Sequence, residues 1–178
     1  IEAMTEGGFK KRGIVFCPED ALGNDPVILN YARLLPDKIV VLEANKQYKV
    51  NDFVFETSMR HTHSSQTYGL KFKIKDKSIS LLSDTRYFSG LADFYKTDIL
   101  IINVVFFQPR EGIEHLCLSD AAKIITEIKP EKAILTHFGM SMLKAKPHIQ
   151  AEKLTKELGI EVLAANDGMV LNITDKTP

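Results

Sequence analysis

The sequence predicts a mixed α/β (α+β) fold in which helices pack outside β-sheets. In the first half of the chain, short runs of alternating apolar and polar residues are separated by turn residues, which is typical of strands joined as hairpins. In the second half, apolar β-branched runs alternate with helical patterns, which favours strands covered by helices. A chain of 178 residues can bury one substantial core, so we expect a single domain over residues 1–178.

The first half contains six predicted strands and one predicted helix. The strands are predicted at 13–17, 38–42, 47–50, 53–59, 68–75 and 79–82, and the run at 38–42 is expected to be buried. In 68–75, apolar residues alternate with lysines, so one face of that strand should contact solvent. Pro26, with Asp25 as its cap, predicts a helix that continues through Leu34.

The second half predicts strands and helices in alternation. Residues 98–107 are almost wholly apolar and β-branched, which predicts a central strand covered on both faces. Ser119 is expected to cap a helix that Pro130 ends. A buried strand at 132–136, an amphipathic helix at 148–158 that ends at Gly159, and short strands at 161–164 and 169–173 complete the prediction.

Charge and cysteine content narrow the class of protein. The chain has 23 basic and 23 acidic residues, so its net charge does not indicate broad attraction to nucleic acid or to a membrane. Cys17 and Cys117 are the two cysteines, and they do not suggest a disulfide framework. No apolar run in the sequence reaches the length of a transmembrane helix. We therefore expect a cytoplasmic location and no membrane partner.

Histidine and aspartate lie at the ends of apolar runs. His61 and His63 are two residues apart and project from one face of an extended segment. Asp84 follows the buried run 79–82, where a carboxylate needs a cation or several donors. His137 directly follows another buried run. Each residue also has an ordinary interpretation: polar residues at a strand end for the first pair, a turn or cap for Asp84, and a structural histidine for His137.

The remaining polar candidates are weaker. His115 lies just before the predicted helix at Ser119, where it is either a proton shuttle or an exposed loop residue. Asp167, between Asn166 and Gly168, is most simply a turn residue, and His148 belongs to a helix start. The sequence contains no glycine-rich phosphate loop, Cys-x-x-Cys or Gly-x-Ser-x-Gly motif.

Taken together and in order, these segments resemble the metallo-β-lactamase superfamily, nearest to its phosphodiesterase and ribonuclease Z-like branch. The similarity covers about residue 53 to the C-terminus, and its specificity comes from the order of several short motifs. These motifs are His63 followed by Tyr68-Gly69, then Leu82-Ser83-Asp84-Thr85, Glu114-His115-Leu116, Leu135-Thr136-His137-Phe138-Gly139 and Ala165-Asn166-Asp167-Gly168-Met169.

The resemblance implies a four-layer αββα sandwich with a dinuclear metal site, usually zinc, although manganese or iron ligands are of the same type. By analogy, His63 binds one metal, His137 binds the other, and Asp84 bridges them. A bridging hydroxide then attacks a phosphorus or carbonyl centre, and His115 gives a proton to the departing oxygen. The implied substrate is a small-molecule or nucleotide phosphodiester.

This sequence differs from the family pattern in one major respect. The superfamily's His-x-His-x-Asp-His motif is absent from this sequence, which begins at Ile1 and, by the resemblance, just after that motif. The expectation is an N-terminally truncated fold that corresponds to the C-terminal two thirds of the complete one. Such a chain would bind metal weakly and be nearly inactive. An N-terminal segment or a second copy of the chain would be needed to cover its exposed edge.

A non-enzymatic α/β binding or regulatory domain is the alternative. In that case His63, Asp84 and His137 are separate structural residues. The two hypotheses differ in geometry, because a hydrolase requires these three side chains to converge, with His115 at the rim.

Overall fold

A mixed seven-stranded sheet forms the centre of the protein in the computed structural model, which describes residues 1–173. Within that range there are nine strands and four α-helices. The strands are β1 (Ile14–Cys17), β2 (Lys38–Val41), β3 (Gln47–Val50), β4 (Phe53–Arg60), β5 (Tyr68–Ile74), β6 (Lys77–Leu82), β7 (Ile99–Asn103), β8 (Lys132–Thr136) and β9 (Glu161–Ala164). The helices are α1 (Leu91–Phe94), α2 (Leu118–Ile128), α3 (Met140–Lys144) and α4 (Pro147–Leu158).

The large sheet changes from antiparallel to parallel along its strand order, which runs from β3 to β9 in sequence. Strands β3 to β6 pair as antiparallel hairpins, and the Asn51-Asp52 turn joins the first two. Strands β6 to β9 are parallel, and Ile79, Ile99 and Lys132 lie in register near their beginnings. All four parallel strands therefore end at one edge of the sheet, where ligand sites of such sheets are found.

The helices cover one face of the parallel half. Leu100 and Ile102 of β7 are fully buried on that face, whereas Ile99 and Ile101 are only partly buried on the other. The strand is therefore less evenly covered than the apolar sequence predicts. Buried residues of the strands and helices form one hydrophobic core, which includes Leu82, Leu135, Ala121, Ile124, Ile125, Ala151 and Leu154.

Strands β1 and β2 form a separate parallel pair. This pair contacts the large sheet through Phe16, whose ring lies 5.5 Å from that of Tyr48 and 5.1 Å from that of Phe55. The predicted mixed α/β fold is confirmed. The strand predicted as buried at 38–42 is instead partly exposed along its length, because it pairs with β1 alone.

The helix predicted after Pro26 is wrong. This part of the chain contains only short 3₁₀ turns, at Glu19–Leu22 and Tyr31–Leu34. The side chains of Val27 and Leu34 are 83% and 76% exposed, so the apolar positions that suggested a helix bury little surface. A short helix without such burial is marginal in water.

Three smaller predictions also differ from the structure. The strand predicted at 98–107 ends at Asn103, because the backbone of Val105 and Phe106 turns to Leu116. No strand forms at 169–173, which lies within the described range. Cys117, rather than Ser119, caps α2: its thiol and the Asp120 carboxylate form a capping box. No helix within residues 1–173 combines the length and apolar character that crossing a membrane requires.

Candidate metal centre

The carboxyl ends of the parallel strands place three polar side chains side by side. Asp84 follows β6, Asn103 ends β7 and His137 follows β8. Since these strands are adjacent and in register, residues just beyond their ends must be neighbours. The shared edge explains how residues distant in sequence come together.

Asp84 is the centre of the group. Its Oδ1 accepts a hydrogen bond from Asn103 Nδ2 at 2.9 Å and lies 3.7 Å from His115 Nδ1. Its Oδ2 lies 3.4 Å from His137 Nε2. The two carboxylate oxygens therefore face different histidines, while the Asn103 amide fixes the rotation of the carboxylate.

Backbone pairing brings His115 to the same edge. Val105 N–H donates to Leu116 O at 3.2 Å, and Leu118 N–H donates to Phe106 O at 2.9 Å. The loop before α2 is thus attached to the segment that continues from β7. His115 Nδ1 is buried and has no hydrogen-bond partner among the described residues. A buried nitrogen in this state fits a ligand that the protein itself does not supply.

His137 occupies an unusual backbone conformation. Its φ is +61°, in the left-handed region, where a residue with a Cβ is disfavoured. Two residues later, Gly139 donates its N–H to Val105 O at 3.0 Å, and a Cβ at Gly139 would lie 2.8 Å from that oxygen. The tight turn therefore requires glycine and holds His137 against the end of β7.

His63 completes the group from the loop between β4 and β5. Its ring centroid lies 5.1 Å from that of His115. Ser65 N–H donates to His63 Nδ1 at 3.2 Å, so this nitrogen is the acceptor. Thr67 Oγ1 lies 3.4 Å from the same nitrogen and donates its own proton to Ser65 O.

His63, Asp84 and His115 meet the geometric requirements of a metal site. One potential ligand atom from each lies within 4.8 Å of the other two. Two atoms that each bind zinc at about 2.1 Å are at most about 4.2 Å apart, so a small side-chain adjustment closes the site. Imidazole nitrogen with carboxylate oxygen suits zinc, manganese or iron. The donor set and the unpaired His115 nitrogen therefore fit a bound metal.

A cavity of about 850 Å³ adjoins His137. It is bounded by the loop after β9, the turn after β8 and the beginning of α4. His148 and Asp167, for which the sequence predicts no catalytic role, lie on its wall. The volume suits a small molecule.

The structure brings together the four residues predicted from the sequence: His63, Asp84, His115 and His137. Their roles as ligands and as proton donor remain predictions. The structure places His115 in the possible ligand set, whereas the sequence predicts it as a proton donor. Asn103 was missed, although an amide that ends an apolar run was a usable signal.

Sequence comparison identifies the relatives of this chain. The family described as "Beta-lactamase superfamily domain" matches residues 2–138. The uncharacterized protein MJ1374 of Methanocaldococcus jannaschii is 29% identical over 182 residues, which cover 97% of this chain and 67% of that protein.

Solved structures show the same fold. The metallo-β-lactamase fold protein YhfI from Bacillus subtilis superposes with a TM-score of 0.77 at 17% identity, over 96% of this chain and 69% of that one. A diphosphatase from the PhnP family has a TM-score of 0.67 at 18% identity, over 97% of this chain and 62% of that one. At these identities the similarity establishes architecture alone.

Proposed function

The chain belongs to the metallo-β-lactamase superfamily, and from this premise we propose that it takes part in metal-dependent hydrolysis of a phosphodiester. The observation that carries the proposal is the convergence of His63, His115 and His137 on the Asp84 carboxylate. A non-enzymatic domain gives no reason for an unpaired buried imidazole nitrogen to face a carboxylate.

The proposed work of the site is divided among its residues. His63, His137 and Asp84 would hold the metal, and the two oxygens of Asp84 face His115 and His137. Asn103 keeps that carboxylate from rotating. When bound, the metal supplies an activated water and positive charge for the developing oxyanion. The preferred metal is zinc, two ions per complete site, with manganese or iron as alternatives.

The geometry distinguishes two roles for His115. As a ligand, it uses the buried Nδ1 that faces Asp84. As a proton donor, it protonates the leaving oxygen, and its side chain is 25% exposed, which leaves it accessible from the rim. We propose the proton-donor role, as the motif order implies.

The proposed substrate is a small-molecule or nucleotide phosphodiester. Support comes from the motif order, from the cavity beside His137, and from the fold shared with a diphosphatase of the PhnP family. The zero net charge gives no support for a long nucleic-acid substrate.

Hydrolysis of bis(p-nitrophenyl) phosphate in the presence of added zinc or manganese tests the proposal. Asp84→Asn should reduce the rate at least about a hundredfold, because it removes the charge that both metal positions share. Asp93→Asn is the matched control, since Asp93 is exposed and forms a surface pair with Lys96. It should retain the wild-type rate.

The same assay assigns His115. If His115 is a proton donor, His115→Gln should lower the rate of hydrolysis and leave metal uptake intact. If His115 is a metal ligand, His115→Gln should lower both the rate and the metal uptake. If the wild type hydrolyses the ester faster than the metal ion alone and Asp84→Asn does so equally fast, the proposed site is wrong.

A further inference from the structure

A cluster of polar side chains lies beneath the candidate metal centre, inside the hydrophobic core. His61 is 3% exposed, and Ser58 and Tyr95 are fully buried. Ser58 lies on β4, His61 directly follows that strand, and Tyr95 directly follows α1. Burying three polar groups is costly unless they satisfy one another. Their hydrogen bonds therefore indicate what the cluster does.

The hydrogen bonds of His61 fix its tautomer. Its Nδ1 lies 3.1 Å from the backbone oxygen of Asp84, which can only accept, so Nδ1 carries the proton. Its Nε2 then accepts, and Tyr95 Oη lies 2.5 Å away as the donor. Burial raises the pKa of Tyr95, so the phenol keeps the proton that it donates.

The neighbouring strands accommodate Tyr95. At Gly69 of β5, a Cβ would lie 1.7 Å from Tyr95 Oη, so only glycine allows the hydroxyl to reach His61. Gly69 N–H donates to Ser58 Oγ at 2.8 Å, and Ser58 Oγ lies 3.3 Å from His61 Nε2. Strands β4 and β5, together with Tyr95, thus surround the His61 imidazole on the side opposite Asp84.

The segment that carries Asp84 is bonded to the segment that carries His63. Thr62 N–H donates to Thr85 Oγ1 at 3.2 Å, and Arg86 N–H donates to Thr62 O at 2.9 Å. His61 precedes Thr62 and Asp84 precedes Thr85, and His61 Nδ1–H donates to Asp84 O. The position of His61 therefore sets the distance between two of the proposed metal ligands.

We propose that Tyr95 and His61 form a positioning relay, in which Tyr95 O–H orients the His61 ring and His61 Nδ1–H fixes the backbone of Asp84. This inference rests on the proposed function, because the carboxylate that it positions is the proposed shared ligand. Asn103 holds the carboxylate end of Asp84, and the relay holds its backbone end. His61 and Tyr95 are positioning residues and touch no substrate.

Nitrogen-15 NMR of the metal-free wild-type chain tests the first half of the relay. The His61 ring should carry its proton on Nδ1, which donates to Asp84 O, and leave Nε2 free to accept from Tyr95. A proton on Nε2 would overturn the relay whatever the protein binds, because His61 would then be unable to donate to Asp84 O.

Metal binding tests the second half. Tyr95→Phe removes one hydroxyl and keeps the ring, and it should weaken zinc binding about tenfold in a competition titration. It should also shift the visible spectrum of bound Co²⁺, because the ligand geometry changes. Tyr87→Phe is the matched control: it removes a hydroxyl that bonds Glu127 at the surface, and both readouts should stay as in the wild type.

Failure of the proposed function and failure of the relay give different experimental results. A wild-type chain that takes up neither zinc nor cobalt contradicts the proposed function, and NMR then decides the relay alone. A wild-type chain that binds both ions, with Tyr95→Phe unchanged in affinity and spectrum, contradicts the relay. In that case the buried cluster only stabilises the fold.

Discussion

At the scale of single residues, His137 combines a proposed function with a strained backbone. Its φ of +61° is tolerated because the following turn is tied to Val105 through Gly139. Non-glycine residues in this conformation cost on the order of 1 kcal/mol or more, and they are concentrated at functional sites. The imidazole reaches Asp84 at the expense of local stability.

The strain can be measured with two substitutions at one position. His137→Gly and His137→Ala both remove the imidazole, and they differ in tolerance of a positive φ. We expect the glycine variant to have a free energy of unfolding about 1 kcal/mol higher than the alanine variant. Urea denaturation in the presence of a chelator measures the difference without a contribution from bound metal. Equal stabilities would show that the backbone relaxes once the imidazole is gone.

The sequence indicated those site residues whose position at the end of an apolar run was itself the signal. Asp84 and His137 are of this kind. Tyr95 carries no such signal, because an aromatic residue beside Phe94 looks like ordinary core in the sequence. Its hydroxyl reaches His61 only through the space at Gly69, which depends on how β5 packs against the end of α1. Such a contact is not encoded in local sequence.

At the scale of elements, Asp98 joins the beginnings of three strands. Its Oδ2 accepts hydrogen bonds from Ser78 N–H at 2.7 Å and Ser78 Oγ at 2.6 Å, which connects β7 to β6. Its backbone oxygen accepts from Lys132 N–H of β8 at 3.2 Å. The Ser78 hydrogen bonds, the side-chain bond first, lower the pKa of Asp98 because they favour the charged carboxylate.

This pKa shift predicts a pH dependence of stability. Because the folded-state pKa is lower than that of the unfolded chain, the stabilisation is present at neutral pH and is lost as the pH falls below about 3.8. Asp98→Asn should lower the free energy of unfolding by about 1 kcal/mol at pH 7. The difference from wild type should shrink as the pH falls below about 3.8 in denaturant titrations.

Asp93→Asn is again the suitable control, since an exposed pair with Lys96 contributes little. A difference between Asp98→Asn and wild type that stays constant as the pH falls well below 3.8 would show that charge plays no part at this position.

Elements were predictable where burial and periodicity agreed. The strand at 132–136 and the helix end at Gly159 match the structure, because apolar residues pack inward and the left-handed glycine ends α4. The segment after Pro26 has suitable caps, yet Val27 and Leu34 have no surface to pack against in the described residues. Helix signals in the sequence are insufficient when tertiary contacts do not support them.

At the scale of the whole molecule, buried and exposed apolar side chains are unevenly distributed over the described residues. The parallel half of the large sheet has a continuous core, whereas the region around β1 and β2 exposes large apolar side chains, among them Phe9 (92%), Val27 and Leu34. Exposed apolar residues on this scale are typical of surfaces that associate. We propose that an N-terminal segment or a second copy of the chain covers this region.

The number of donors limits the metal affinity of the chain. His63, His115 and His137 share one carboxylate, Asp84, whereas a closed zinc site uses four ligands for each ion. We therefore expect the chain of 178 residues to bind zinc with a dissociation constant on the order of micromolar or weaker, and to hydrolyse esters slowly.

Competition titration with a chromophoric chelator, repeated at low and high protein concentration, measures this limit. If a second copy supplies the missing ligands, zinc affinity and sedimentation coefficient should rise together with concentration. If an added N-terminal segment supplies them, affinity should rise on its addition and be independent of the concentration of the chain. Nanomolar zinc binding by a dilute monomer would contradict the expectation, because it would mean that four side chains and water suffice for a tight site.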